Sequence, residues 1–249
     1  MMKHLLVSVT VALFGVMAAD RAAAAELIVN GGFEVGGLAN WTVVDQAGGS
    51  GSIYLQTGTG SPLNGFTVAA PPGGTFAAMS DQFGPGAHVL YQDFVVPVGV
   101  TAATFSFQAF INNLAGSFFS PASLDFGVSP NQQARVDIIT TTANPFSVLP
   151  ADVLQNLFQT MPGDASLSGY SPISVDVTAL LAASGGQTLR LRFAEVDNLF
   201  FFNFGIDDAS IDATSHSVAV PEPASMTLLG LGVAGLFGYR ARRRMAAAI

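Results

Sequence analysis

The reactive side chains of this sequence are mostly carboxylates. Glu34 follows a Gly-Gly turn near the N-terminal end. Glu195 and Asp197 stand two residues apart, and Asp207 and Asp208 are adjacent. Carboxylates in such settings do one of three things. A pair held at a fixed separation hydrolyses glycosides. A convergent set binds a divalent cation through hard oxygen ligands. The rest are simply solvated. No spacing here marks a catalytic pair. His88 and His216 are far apart, and the chain has no H-E-x-x-H, no G-x-S-x-G and no cysteine. A non-catalytic protein is expected, with an unrecognised glycan-active enzyme as the alternative.

The elements that must position these residues read as strands. Ala103, Phe105, Phe107, Ala109 and Ile111 alternate with polar residues, the period of a half-buried strand. Leu90, Phe94 and Val96 share one face, as do Leu189, Leu191 and Phe193, with Arg190 and Arg192 opposite. Val136 and Ile138 alternate with Arg135 and Asp137. Gly/Pro turns separate the runs, among them Pro71-Pro72-Gly73-Gly74, Gly84-Pro85-Gly86 and Gly185-Gly186. Many short strands joined in this way predict an all-β protein, an antiparallel β-sandwich (jelly roll), over residues 26–212. One or two short helices accompany it: Ala151 to about Gln159, where Val153, Leu154, Leu157 and Phe158 have helical spacing, and Thr178–Ala183.

Strand parity places the acidic residues. Glu195 continues the apolar face of Leu189, Leu191 and Phe193; it pairs with Arg135, joins a metal site or, the expected outcome, emerges at the strand end. Asp207 shares parity with the apolar Ala209 and Ile211, and Asp208 with Ser210 and Asp212, so Asp207 is the expected buried carboxylate. Leu199 to Phe204 reads as a core strand or hairpin before it reads as a sugar platform. Trp41 is expected in the core, and Tyr54, Tyr91 and Tyr170 stack on sugar rings if exposed.

Charge narrows the partners. Between Glu26 and Val220 only Arg135, Arg190 and Arg192 are basic, against 15 acidic residues, for a net charge near −12. Such a surface repels phosphate backbones and excludes nucleic acid. It suits divalent cations or neutral ligands.

The two ends carry address information. Lys3 and His4, the apolar run Leu5 to Ala19 and the small residues Ala23-Ala24-Ala25 predict a signal peptide over residues 1–25, helical in its apolar part, with the mature chain starting near Glu26. Ala213 to Ala219 reads as a linker. Residues 224–239 are uncharged and are followed by Arg240, Arg242, Arg243 and Arg244, which predicts a short transmembrane helix held at the cytoplasmic side by arginine. Gly230-Leu231-Gly232-Val233-Ala234-Gly235 matches G-x-G-x-x-G only formally, because it sits inside the expected membrane segment rather than between a strand and a crossover helix.

The order Val220-Pro221-Glu222-Pro223, apolar segment, arginine cluster resembles the PEP-CTERM sorting domain over residues 220–249. Pro221, Glu222 and Pro223 match that family's motif. The resemblance implies export across the inner membrane of a Gram-negative bacterium, transient residence there and processing by an exosortase. It further implies a cell-surface or secreted destination and association with exopolysaccharide or biofilm.

A second resemblance covers the globular part. Leu27-Ile28-Val29-Asn30-Gly31-Gly32-Phe33-Glu34 with Trp41, and Phe204-Gly205-Ile206-Asp207-Asp208-Ala209-Ser210-Ile211, look like the opening and closing strands of jelly-roll carbohydrate-binding and galactose-binding-like modules. In that group a structural calcium often ties the first loop to the last strand. The resemblance implies Glu34 and one of Asp207 or Asp208 as its ligands here, parity selecting Asp207, with a lectin-like glycan-binding role as the alternative to a non-catalytic matrix role.

Overall fold

The alternating segments become strands in a computed structural model that describes residues 22–216, 230–237 and 240. The strands are β1 (Ala22–Glu26), β2 (Thr42–Asp45), β3 (Ser52–Thr57), β4 (Phe76–Asp81), β5 (Gly86–Val95), β6 (Val100–Asn113), β7 (Gln132–Thr140), β8 (Val153–Gln159), β9 (Leu167–Asp176), β10 (Thr188–Asp197) and β11 (Phe202–His216). One short helix, α1 (Thr178–Ala183), separates β9 from β10, where it was expected.

The strands form two antiparallel sheets. One has the order β3-β4-β11-β6-β9, with β1 also paired to β11. The other has the order β2-β5-β10-β7-β8. The all-β, two-sheet expectation therefore holds. The core lies between the sheets: Phe105, Phe107, Phe193 and Phe204 pack edge-to-face or tilted, with Phe33 and Trp41 closing one side. Each of these six side chains removes on the order of 150–250 Å² from water, so they dominate core stability.

The predicted helix over Ala151 to Gln159 is wrong. Val153–Gln159 is strand β8, paired to β7 with register shifts between Val136 and Asp137 and between Ile138 and Ile139. Each bulge inserts one unpaired residue and inverts the alternation. Two bulges in one short strand turn a period-two pattern into one that imitates helical spacing.

The folded unit runs from Ala22 to His216. Ala213 to His216, read as linker, are strand residues paired with Ala22–Ala25. Glu26, the expected first residue of the mature chain, is itself tied to β11: its Oε1 accepts the Ile28 and Ile211 N–H groups at 2.7 and 2.9 Å, and its Oε2 accepts the Ser210 hydroxyl.

Residues 230–237 and 240 are helical and belong to a separate unit. Among the described residues no helix is long and apolar enough to cross a membrane. The expected signal helix, the sorting residues Pro221, Glu222 and Pro223, and the remainder of the 224–239 segment lie outside the described residues.

Candidate functional site

Two groups of carboxylates are brought together, at different places on the sandwich. The first contains the residues that sequence singled out. Asp207 is buried, and its Oδ1 and Oδ2 accept the N–H groups of Asp208 (2.8 Å) and Gly73 (3.2 Å). Glu34 Oε1 accepts the N–H groups of Thr75 and Phe76 at 2.9 and 2.8 Å. Asp208, with φ of 48°, turns its carboxylate over the same loop: a Cβ on Gly73 would lie 2.5 Å from either Asp208 oxygen, and one on Gly74 would lie 2.7 Å from Glu34 Oε1. Only glycines let three carboxylates approach this turn. Burial pushes Asp207 up to about 7, and the Asp208 and Glu34 charges add to the rise against the two N–H donors.

Asp207 reaches this place for a reason opposite to the parity argument. The β11–β6 register shifts between Asp207 and Ser210. Phe204 and Ile206 face the core before the shift, and Ala209 and Ile211 face it after. Asp207 therefore lies on the other face from Ala209, beside Tyr170, whose phenol burial and the Asp207 charge push upward in pKa. Gly31 accommodates the bulge: its carbonyl accepts the Ala209 N–H at 3.0 Å, and a Cβ there would come within 1.8 Å of the Ala209 oxygen.

The second group was not assembled from sequence. It sits between the sheets at the end where β4 leads to β5 and β10 leads to β11. Glu195 is opposite His88 in the β10–β5 register, and Asp197 is opposite Gly86. All three side chains, His88, Glu195 and Asp197, are buried, and one ligand atom from each lies within 4.8 Å of the others. Among the described residues no other set of three, including Glu34, Asp207 and Asp208, is gathered so closely. His88 Nδ1 lies 2.8 Å from Asp45 Oδ1, and Nε2 lies 3.1 Å from the Ser50 carbonyl oxygen. Asp197 Oδ1 accepts the Gly86 N–H at 3.1 Å.

Glu195 neither emerges at the strand end nor meets Arg135. Both of its oxygens are buried without a hydrogen-bond partner. The neighbouring Ser80 hydroxyl is spent on the Phe202 carbonyl and the Phe204 N–H. Arg135 is on the opposite face of its sheet, paired with Asp137 at 2.6 Å. Burial first, and the Asp197 charge second, push the Glu195 carboxyl well above the usual range. Burial also pushes Asp197 up to about 8.

Asp81, one turn of loop away, shows how this fold satisfies a buried carboxylate when it needs to. It accepts N–H groups from Leu63, Asn64 (backbone and side chain), Gln82 and Asn203, all within 3.1 Å.

Above this group, Phe83, Gly84, Pro85 and Asp197–Phe201 line a surface cleft. Phe83 and Phe200 are 65% and 54% exposed, so the run Leu199 to Phe204 is divided: Phe202 and Phe204 enter the core while Phe200 faces solvent. The loop bearing Phe200 is held by Gln132 Nε2 on the Phe200 carbonyl (2.8 Å) and by Asn198 Nδ2 on the Phe126 and Val128 carbonyls. Trp41 is buried, as expected, and its Nε1 donates to the Asn30 carbonyl at 3.0 Å. Tyr91 lies under the Arg190 guanidinium, 3.8 Å from ring centroid to Cζ.

The strand pairing defines the folded unit as an antiparallel two-sheet sandwich with a separate C-terminal segment. That segment carries the PEP-CTERM protein-sorting motif, which matches residues 219–244. No curated protein matches the chain. Among solved structures, the folded unit is similar to the carbohydrate-binding module TmCBM61 in complex with beta-1,4-galactotriose (10% identity, TM-score 0.46, 75% of this chain and 97% of that one). It is also similar to the K3 cleaved adhesin domain of Lys-gingipain from Porphyromonas gingivalis W83 (16% identity, TM-score 0.46, 75% and 98%). A third similar structure is the Stig cyclase Fisc from Fischerella sp. TAU (14% identity, TM-score 0.46, 78% and 100%).

Proposed function

We propose that this protein is exported, processed at its C-terminus by an exosortase, and delivered to the surface or extracellular matrix of a Gram-negative bacterium. There it acts without catalysis in association with exopolysaccharide or biofilm. The sorting motif at 219–244 carries this reading. The strongly acidic, lysine-free folded unit supports a role among neutral glycans and divalent cations rather than on anionic polymers. The full burial of Glu195 supports the non-catalytic part, since an acid–base couple with Asp197 would need both carboxylates to meet the sugar.

A structural calcium belongs to the same reading. Glu34 and Asp207 would hold it, with Asp208 beside them. The fit rests on three carboxylates converging on one glycine turn, where the Asp208 and Glu34 charges add to the burial that raises Asp207.

The experiment is to express the chain in a host with and without an exosortase and follow the mass of the product. Loss of the C-terminal segment only when the enzyme is present, and not in a Pro221→Ala/Glu222→Ala variant, is the expected result. An unprocessed chain in both hosts overturns the reading.

The second reading is a lectin-like module with a defined glycan ligand. Exposed Phe83 and Phe200 on a rigidly held cleft favour it, because aromatic faces stack on sugar rings. A glycan array should show binding that Phe83→Ala and Phe200→Ala abolish; no binding to any glycan, including the host's own polysaccharide, removes this reading.

A further inference from the structure

We propose that His88, Glu195 and Asp197 form an interior site for one divalent first-row transition-metal ion of the zinc type, distinct from the carboxylates at Glu34 and Asp207. Four observations carry this assignment.

The first is an unanswered demand. Both Glu195 oxygens and Gln82 Oε1 are buried and without a hydrogen-bond partner. Gln82 lies beside Asp197. Leaving such groups unpaired costs about 1–3 kcal/mol each, more when charged. The same fold surrounds Asp81 with five N–H donors, whereas Glu195 has beside it only the Ser80 hydroxyl, already engaged elsewhere, a local deficit that something else answers.

The second is spacing. The three ligand atoms are within 4.8 Å of one another. Ligands about 2.1 Å from a tetrahedral metal stand roughly 3.4 Å apart. A modest inward movement closes the set.

The third is orientation of the histidine. Its Nδ1 faces the Asp45 carboxylate at 2.8 Å, the outer-shell arrangement that fixes a ligating imidazole and leaves Nε2 for the metal. Nε2 points towards Gly86, where a Cβ would lie only 2.6 Å away, and the Gly86 N–H holds Asp197 Oδ1. The glycine thus keeps Nε2 and the Asp197 carboxylate on a common opening.

The fourth is charge. Two carboxylates and a neutral imidazole balance a dication within the ligand set itself. An imidazole with only two carboxylates selects a zinc-like ion over calcium, which requires six to eight oxygens. In this arrangement the metal takes the place of the Ser50 carbonyl at Nε2. It joins β5 to β10 within one sheet. The cleft lined by Asp197 is its route of entry.

The test uses the full-length chain without an affinity tag, incubated with Co²⁺ or Zn²⁺, dialysed, and assayed by elemental analysis and by the visible absorption of bound Co²⁺. About one equivalent per chain is expected, with d–d bands of a nitrogen–oxygen site. Glu195→Gln and Asp197→Asn should lose the retained metal, and His88→Gln should lose the bands. Asp45→Asn, at a partly exposed position, should weaken affinity about 10–100-fold while leaving the stoichiometry at saturation. Glu34→Gln/Asp207→Asn should retain the metal, which separates this site from the calcium reading. Wild-type protein that holds no Co²⁺ or Zn²⁺ overturns the proposal whatever the variants do, and so does undiminished binding in a folded Glu195→Gln protein.

Discussion

Replacing Asp137 with Asn should remove a large share of the stability of the folded unit. Asp137 is fully buried on the outer face of β7, where three side chains depend on it. Arg135 donates through Nε at 2.8 Å and Nη2 at 2.6 Å, Arg192 donates through Nη2, and Asn156 donates at 2.9 Å. Arg192 is also buried, and its other terminal nitrogen is bound to the Pro145 and Ser147 carbonyls at 2.7 and 2.6 Å. The substitution keeps the shape but leaves two guanidinium groups without a counter-charge. Breaking one partner of a buried ion pair costs about 3–5 kcal/mol, which for a unit of this size lowers the melting temperature by roughly 10 °C. Burial by itself would raise the Asp137 carboxyl; the Arg135 hydrogen bonds, the Arg192 and Arg135 charges and the Asn156 bond overcome it and hold the pKa below its usual value. A depressed carboxylate stabilises above its unfolded pKa and loses that contribution as pH falls through the folded one. The gap between wild type and Asp137→Asn should therefore be constant from about pH 8 to 5 and close below about pH 4. Thermal melts of both proteins across this range measure it. A shift under about 2 °C at pH 7, or a gap that persists unchanged at pH 3, would refute the reasoning.

Other outcomes follow from the same structure. Phe193→Ala removes a ring that contacts Trp41, Phe105 and Phe107, and should cost about 3–5 kcal/mol in denaturant unfolding. Arg190→Ala loses a pair with the partly exposed Asp93 and a stack on Tyr91, so only about 0.5–1 kcal/mol should disappear. Gly31→Ala places a methyl group against the Ala209 carbonyl and should destabilise by at least about 1–3 kcal/mol; an unchanged melt would mean that the bulge relaxes freely. Burial raises Asp207 to about 7, so the folded state holds a proton that the unfolded state has released between about pH 4 and 7, and stability without added cation should decline across that window. Added calcium should reverse the decline and Asp207→Asn should abolish it, both read as melting temperature against pH with and without chelator.

Much of the fold was legible in the chain because period-two alternation is local. Leu189, Leu191 and Phe193 face the core with Arg190 and Arg192 opposite, as the pattern states. Parity fails where the ladder gains a residue. The bulges of β8 disguised a strand as a helix, and the bulge after Asp207 reversed the face on which that carboxylate lies. Nothing in residue type announces such a shift, because it is set by the partner strand's register.

By itself the sequence determined two things: the sorting signal, a linear motif read in an order of parts, and the two-faced strands, whose spacing obeys the geometry of the extended chain. Only the tertiary structure decided which carboxylates meet. Glu34 reaches Asp207 across the whole length of the unit, and His88 faces Glu195 through the pairing of β5 with β10. It also decided that Glu195, which read as a residue leaving its strand, ends between two sheets without a partner. Contacts of that sequence separation depend on how sheets stack and where their ladders slip. Those are properties of pairs of strands, not of any one segment.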